Sequence, residues 1–557
     1  MVLDYKDVAF SFQKRKIRRR RQRLKLALLI LALGAIFCGY RYLRVSAASA
    51  KIQNLLLSGR VSEAEKKINA SASAFFLRAQ FRELRALSDL FGDRLPQAQT
   101  RFDELNRLRT KTSLHSGRFQ KYFLDHGEYH KLKIYTDYLL PQGGDENIWF
   151  DALVHSAFFN AAESEKAVAR LSAAFRQSHA KALAILAKVN ADLRQGRFEY
   201  IFDKNGSALA YFDVRKQKTY SLLPGLDLSD FDRQLKKGLS YFQLTLDSTL
   251  QKKIDRLFKD FFGTLVVLNL PQNRILAAYS KPRSPGVANA VFSEAYEPGS
   301  IVKIISLLAY LRQDNQSLFP FDCPGHMALG GKIFYDWTAH QHVKDYSSAL
   351  AMSCNLSFAK MGLQVGSKRL AAMLELFHFN SRPFQDWFLT FRTGTFNREL
   401  NHDFALAKLA VGIGEISLTT IHAAMLAAVF SQNGLLFPPY LIEDAKSVLY
   451  LGYYSHDSRE QRLLSDDINF RRVKKAMQAT VNDEKGTSHQ ARSASADLAV
   501  KTGTAGDRRY GFDALVIGFF PARNPRYAFA FRLEGAGKPE LTGVLFLRDL
   551  VNILQKK

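Results

Sequence analysis

Apolar and polar positions divide the chain into zones of different period. Leu26 to Tyr40 is uncharged and almost wholly apolar. With Leu24, Lys25, Tyr42 and Leu43 at its edges, this run approaches the ~20 residues that span a bilayer. From 51 to 195 apolar residues recur at three- and four-residue spacing with few prolines, which predicts helix throughout. After Gly196 the pattern changes, and Ile201 to Ala210, centred on Asn205-Gly206, predicts strand, tight turn, strand. An amphipathic helix then runs to Phe262. Strands at Thr264–Leu270 and Ile275–Tyr279 follow, joined through Pro271-Gln272-Asn273. Ile304 to Leu311 has helical spacing behind the breakers Pro298 and Gly299, and Leu498-Ala499-Val500 leads into a strand.

Charge gives the first zone a direction. The net charge is +27, and residues 1–25 hold ten Lys/Arg against two acids. A basic flank before an apolar run puts the N-terminus inside. Residues 1–23 therefore read as a basic cytoplasmic tail and 24–43 as a transmembrane signal anchor in the cytoplasmic membrane, with the bulk on the periplasmic or extracellular side. A cleaved signal peptide competes, because Ala48-Ser49-Ala50 has the small-x-small form. Arg41 and Arg44, between the run and that site, favour the anchor. No nucleic-acid-binding signature accompanies the basic excess, so no nucleic-acid partner is expected.

A length of 557 residues implies two or three domains. The three cysteines, Cys38, Cys323 and Cys354, exclude a disulfide-rich scaffold. Cys323 and Cys354 are read either as a bridge or as two buried thiols. No cysteine/histidine spacing is that of a metal site, and neither a metal nor an organic cofactor is expected.

Within 51–195, Gly59, Gly92, Gly127, Ala162 and Gly196 are spaced by 33, 35, 35 and 34 residues. A helical hairpin repeating at that period resembles the tetratricopeptide family, whose stacked repeats form a partner-binding groove. Most of that family's aromatic positions are missing, so a non-repetitive all-α domain stays open.

The candidate chemistry begins at Glu297-Pro298-Gly299-Ser300-Ile301-Val302-Lys303. Ser300 at a helix start has backbone N–H groups beside it, and Lys303 follows one turn later on the same face. A serine with a desolvated lysine is an activated nucleophile. Ser-x-x-Lys also occurs at Ser11/Lys14, Ser178/Lys181 and Ser357/Lys360, so context decides. Ser353-Cys354-Asn355 lies in the helical-looking stretch Ser347 to Gly362 and offers a proton-relaying hydroxyl and a peptide-binding amide. A second Ser-x-Asn, Ser431-Gln432-Asn433, precedes Gly434 in a turn. Lys501-Thr502-Gly503-Thr504 is the only Lys-Thr-Gly in the chain and sits on a strand. A cation, a hydroxyl and a glycine there can hold a carboxylate and let an extended peptide lie alongside.

With these three motifs in order, the sequence resembles the penicillin-binding proteins, with a transpeptidase domain over 245–557. Further segments carrying the resemblance are Tyr296 to Ser300, Phe321-Asp322-Cys323-Pro324-Gly325, Gly412 to Thr420, Gly518-Phe519-Phe520-Pro521 and Asn524 to Ala530. Ile201 to Ala210 resembles the Asp-Arg-Asn-Gly segment upstream of that domain in the high-molecular-weight enzymes.

The resemblance implies an α+β fold, an antiparallel sheet flanked by helices, preceded by a linker with a β-hairpin at 196–244, the all-α domain and one transmembrane helix. It implies Ser300 as the acylated nucleophile, Lys303 as its base and Ser353 as proton shuttle. Asn355, Lys501, Thr502, Gly503 and Thr504 would bind substrate, and the N–H groups of Ser300 and Thr504 would form the oxyanion hole. The implied substrates are D-alanyl-D-alanine stem peptides of peptidoglycan, with β-lactams as inhibitors and a peptidoglycan polymerase or other cell-wall protein as partner through 51–195. The chain departs from the family in lacking a glycosyltransferase motif and in leaving only about 35 residues (211–245) between the Asn-Gly hairpin and the domain, where the usual pedestal would not fit. Two alternatives stay open: a D,D-carboxypeptidase or β-lactamase of the same fold, and a non-catalytic penicillin-binding sensor or scaffold.

Overall fold

The structure is a computed structural model. It describes residues 5–71, 78–108, 116–126, 128–139, 148, 177, 180–235, 241–284, 287–400, 402–446, 452–456, 461–463, 467–492, 497–507 and 511–556. The chain forms two compact units, Met1–Ala180 with Lys237–Leu239, and Lys181–Lys236 with Ser240–Lys557.

The first unit is helical. Helix α1 (Tyr5–Leu57) carries from Leu24 onward a segment long and apolar enough to cross a membrane. Leu24, Leu28, Leu31 and Ile36 are exposed along it, whereas Ile52, Leu55 and Leu56 are buried. The helix ends where Gly59 adopts φ +74°, with Gly59 N–H donating to Leu56 O and Arg60 N–H to Leu55 O, both at 2.9 Å. A glycine adopts this left-handed helix stop without strain. Then come α2 (Val61–Ser71), α3 (Arg78–Phe91), α4 (Leu95–Arg107), α5 (Ser116–Asp125) and α6 (Tyr129–Leu139). Helices α1 to α4 pack each on the next, α5 packs on α6 and α4 on α6, around buried Phe102, Phe119, Phe123, Tyr135 and Tyr138. Gly59 and Gly92 fall between the members of helix pairs α1/α2 and α3/α4. Gly127 and Ala162 of the proposed period lie outside the described residues.

In the second unit, α7 (Ala180–Gln195) leads to β1 (Arg197–Phe202), β2 (Ala208–Asp213), β3 (Lys218–Ser221) and β4 (Tyr241–Leu244). The turn at Asn205-Gly206 forms as expected, because Asp203 Oδ1 accepts N–H bonds from Asn205 and Ser207, both at 2.8 Å. The segment expected as a linker with a β-hairpin, 196–244, carries that hairpin as β1 and β2, and β3 and β4 extend it into a sheet. Its strands join β9 (Ile442–Lys446) and β10 (Gly452–Ser455) in the order β10-β9-β4-β1-β2-β3. The missed partners lie about two hundred residues away, and pairing at that range leaves no local pattern.

A five-stranded antiparallel sheet forms the second core. Helix α8 (Ser248–Leu257), capped by Asp247, precedes β5 (Gly263–Asn269) and β6 (Arg274–Lys281). With β11 (Ala499–Asp507), β12 (Gly511–Phe520) and β13 (Tyr527–Leu533), the order is β11-β12-β13-β5-β6. On one face α8 and the C-terminal helix α15 (Gly543–Gln555) bury Leu250, Ile254, Leu547 and Leu550 against Val267, Val516 and Phe529. The other face is covered by α13 (Thr420–Ser431), whose twelve residues are all buried. Each fully buried Leu, Val or Phe stabilises by roughly 1.5–3 kcal/mol, so a helix apolar on every side belongs inside this sandwich. Helix α9 (Lys303–Leu311) is likewise buried along its length, packed by α11 (Asn355–Val365), α12 (Asp403–Val411) and α14 (Asp467–Asn482). Between them run β7 (Phe321–Cys323), paired with β8 (Gln341–Val343), and α10 (Tyr346–Ala351).

Candidate active site

The three motifs meet at one cleft of about 230 Å³, lined by Ser300, Ser353, Asn355, Thr502, Gly503 and Thr504 among others. Each arrives on a different support. Ser300 lies on a single 3₁₀ turn, Gly299–Val302, rather than inside the α-helix that begins at Lys303. That turn is pressed against strand β11: a Cβ on Gly299, which has φ +52°, would lie 2.3 Å from Thr504 O. A Cβ on Gly412 would in turn lie 1.9 Å from Gly299 O. Side-chain-free backbones on both sides are what let the nucleophile turn approach the strand.

The stretch Ser347 to Gly362, expected as helix, is broken. Asp345 caps α10 by accepting from Ser348 N–H at 2.7 Å, and Cys354 caps α11. Between the caps Ser353 takes a left-handed backbone, φ +56°. The break aims Ser353 and Asn355 at Lys303, a task a continuous helix could not perform, because residues two apart point to different sides.

Lys303 Nζ donates to Ser353 O at 2.7 Å, to Ser353 Oγ at 3.3 Å and to Asn355 Oδ1 at 2.7 Å. Its burial is complete and pushes its pKa down to about 8, with the Asp336 and Cys354 charges pulling the other way. Lys501 Nζ donates to Ser353 Oγ at 3.0 Å and to Thr502 O at 2.7 Å. Burial, and then the nearby Lys303 charge, hold its ammonium well below the usual lysine range. Thr502 Oγ1 donates to Thr487 Oγ1 at 2.8 Å. Thr502 is buried and Thr504 half-buried, and β11 is an edge strand beside the cleft. An edge strand can pair with an extended peptide. The arrangement provides a hydroxyl on a helix-leading turn, a lysine poised to accept a proton, and a second cation sharing one relay hydroxyl.

Several contributors carried no signal in the sequence reading. Thr487 supports Thr502 from a loop, and Trp337 and Phe512 line the cleft from separate segments. Asp336 is sequestered behind α11. Burial pushes its carboxyl up, but the His340 hydrogen bond, the Lys303 charge and the N–H groups of Asn355 and Leu356 outweigh it, holding the group well below the carboxylate range. Gly412 was noted within a family segment, without its role as a gap for the nucleophile turn. Cys323 and Cys354 are both buried, free thiols. Although their spacing suggests no metal, the fold gathers Cys323, Asp336, His340 and Cys354 within 4.8 Å of one another. These four come from three segments, so spacing along the chain could not reveal them.

Residues 263–543, half of the chain, match the model of the penicillin binding protein transpeptidase domain. Peptidoglycan D,D-transpeptidase PbpA of Mycolicibacterium smegmatis is 28% identical over 274 residues, 46% of this chain and 53% of the relative. The protein of that name from Mycobacterium tuberculosis is 27% identical over 286 residues, 47% and 54% of the two chains. The matched region thus spans about half the length of the curated relatives. The D,D-transpeptidase domain of a peptidoglycan glycosyltransferase from Eggerthella lenta shares the fold, with TM-score 0.58, 20% identity, and 65% of this chain and 98% of that one covered. The imipenem acyl-enzyme complex of penicillin-binding protein A from M. tuberculosis aligns with TM-score 0.55 at 19% identity over 64% and 98% of the two chains. By the matched domain, this chain belongs to the penicillin-binding protein transpeptidase family.

Proposed function

We propose that this chain is a membrane-anchored peptidoglycan D,D-transpeptidase that cross-links stem peptides through a Ser300 acyl-enzyme and is inhibited by β-lactams. The observation that carries the reading is the double approach of Lys303 and Lys501 to Ser353 Oγ in the cleft that also holds Ser300. Ser300 Oγ attacks the carbonyl carbon of the penultimate D-alanine while Lys303 Nζ accepts its proton. The C–N bond breaks, Ser353 passes a proton to the departing amine, and D-alanine leaves. An amine of a neighbouring stem peptide then attacks the ester carbonyl, a new amide forms, and Ser300 regains its proton. Asn355 and the backbone of β11 hold the donor peptide, and Lys501, Thr502 and Thr504 face its terminal carboxylate, with Gly503 leaving room for it. The N–H groups of Ser300 and Thr504 stabilise the oxyanion, a contribution of roughly 3 kcal/mol per donor.

The apolar segment from Leu24 supports anchorage, with 24–43 as the span, 1–23 inside and the catalytic unit outside. The paired helices within 51–195 serve to dock a cell-wall partner such as a peptidoglycan polymerase.

The test uses fluorescent penicillin on the full chain and on Ser300→Ala, followed by mass analysis of products from a pentapeptide with and without an acceptor amine. Labelling confined to the unmutated protein and a product joined to the acceptor are expected. Equal labelling of the variant removes Ser300 from its role, and trimmed product alone replaces transfer by carboxypeptidase action.

A further inference from the structure

Behind the cleft, four donor groups converge from three segments. Cys323 ends β7, Asp336 follows the hairpin His326–Tyr335, His340 precedes β8, and Cys354 caps α11 between Ser353 and Asn355. Their ligand atoms all lie within 4.8 Å of one another. The Asp336 and His340 side chains are 0% and 4% exposed, and both cysteines are buried.

The three edges among Cys323, Asp336 and His340 have the dimensions of a coordination tetrahedron, and Cys354 Sγ lies within 4.8 Å of each of these groups. Cys323 Sγ lies 3.6 Å from His340 Nδ1 and 3.4 Å from Asp336 Oδ2, and His340 Nδ1 lies 3.4 Å from Asp336 Oδ2. Zinc bonds of ~2.3 Å to sulfur and ~2.0–2.1 Å to nitrogen and oxygen give tetrahedral edges of about 3.6 Å for S–N, about 3.5 Å for S–O and about 3.3 Å for N–O.

A purely hydrogen-bonded network of thiols, imidazole and carboxylate would satisfy the same three contacts. The surrounding donors and acceptors point further, because they occupy the outward faces of the groups. His340 Nε2 faces Met352 O at 3.2 Å, so a proton held there when the ion binds frees Nδ1, which otherwise hydrogen-bonds Asp336, to present its lone pair to the cluster. Cys354 Sγ accepts from Ser357 N–H at 3.4 Å and from Ser357 Oγ at 3.0 Å, contacts that a metal-bound sulfur keeps. Asp336 is steadied by Trp337 N–H at 2.8 Å on Oδ1 and Leu356 N–H at 3.1 Å on Oδ2.

We propose that Cys323, Asp336, His340 and Cys354 bind one zinc ion in a closed structural site. Two sulfurs, an imidazole and a carboxylate in tetrahedral array suit zinc, whereas magnesium and calcium call for oxygen donors. Four protein ligands leave no open position, so the ion does not touch substrate. It staples the segment from β7 to β8 onto the start of α11. Because Ser353 and Asn355 flank the ligand Cys354, the same staple positions the two groups that meet Lys303. The site stands whether the acyl-enzyme is resolved by an amine or by water, and its metal content is read without any turnover.

The full chain in detergent, purified without chelator from zinc-replete cells, is analysed for metal by mass spectrometry and for free thiols. About one zinc per chain is expected, falling below about a tenth in Cys323→Ser and His340→Gln. Cobalt(II) exchanged into the unmutated protein should show tetrahedral d–d bands with thiolate-to-metal charge transfer. Stripping zinc should lower the melting temperature and slow fluorescent-penicillin labelling about tenfold or more, both restored by zinc and not by magnesium. Variants that misfold leave the decision to the unmutated protein. Less than about a tenth of a zinc there, with two titratable thiols or a Cys323–Cys354 disulfide, overturns the proposal. Zinc kept by both folded variants overturns the ligand set, and zinc lost without change in melting or labelling overturns the positioning role.

Discussion

Lys501 Nζ lies 3.0 Å from Ser353 Oγ, and Lys303 Nζ reaches the same oxygen from the other side at 3.3 Å. One hydroxyl thus bridges two buried lysines from different elements. With a donor on each side, its oxygen accepts and its own proton is directed toward the cleft. Ser353→Ala should leave the fold intact, since the side chain is small, but remove the bridge. Acylation by fluorescent penicillin is expected to fall about 10²-fold or more, measured as the second-order rate constant. An unchanged constant would assign the relay to another group.

The pH dependence of acylation follows from Lys303. Its pKa is pushed down to about 8, and only the neutral amine can accept the Ser300 proton. The rate should therefore rise with pH and level off above about 8. The midpoint belongs to the Lys303–Lys501 pair rather than to either lysine alone. Single-turnover labelling at a series of pH values checks this, and a rate already flat from about pH 6 upward would contradict a lysine base.

Gly299 and Gly330 separate steric from conformational demand. Both have positive φ, +52° and +56°, but only a Cβ on Gly299 collides with backbone, at Thr504 O. Gly299→Ala should destabilise the protein by at least about 3 kcal/mol, and Gly330→Ala by about 1 kcal/mol. Thermal unfolding gives the first comparison. Penicillin labelling, lost only in Gly299→Ala, gives the second.

His422 predicts an acid limit on stability. It is fully buried on α13, with Nδ1 accepting from Gly394 N–H at 2.8 Å and Nε2 donating to Phe377 O at 2.8 Å. Burial lowers its pKa to about 4 from an ordinary value of 6.5. The unfolded chain therefore binds the proton more readily between those values, and stability falls as pH drops from about 6.5 toward 4, by roughly 3 kcal/mol. His422→Gln should flatten the slope of unfolding free energy against pH in that window. A slope unchanged by the substitution would place the acid sensitivity elsewhere.

How much of this was legible depends on range. Ser300, Lys303, Ser353, Asn355 and the Lys501 strand stand in short motifs whose local chemistry survives in one dimension; Ser300, Ser353, Asn355 and Thr502 to Thr504 line one cleft, and buried Lys303 and Lys501 reach it through Ser353 Oγ. Gly59 and Gly92, read only as markers of a repeat period, fall at helix ends, a local event that a glycine stop permits. The left-handed bend at Ser353 was not legible, since Ser347 to Gly362 has unbroken helical composition and only the caps at Asp345 and Cys354 divide it. Asp336 and His340 gave no sign because their neighbours belong to other segments. Within 196–244 the hairpin was legible from Asn205-Gly206, whereas the pairing of β4 with β9 was not, as short strands declare distant partners only in space.

The six-stranded sheet carries a consequence for synthesis. On a ribosome β4 is made some two hundred residues before β9, the strand that hydrogen-bonds its other edge in the finished sheet. Until Ile442–Lys446 emerges, Tyr241–Leu244 presents an open row of amides and carbonyls to whatever strand is nearest. The nascent polypeptide therefore passes through a long interval in which mispairing competes with waiting, and a holding factor that shields this edge would act on the growing chain alone.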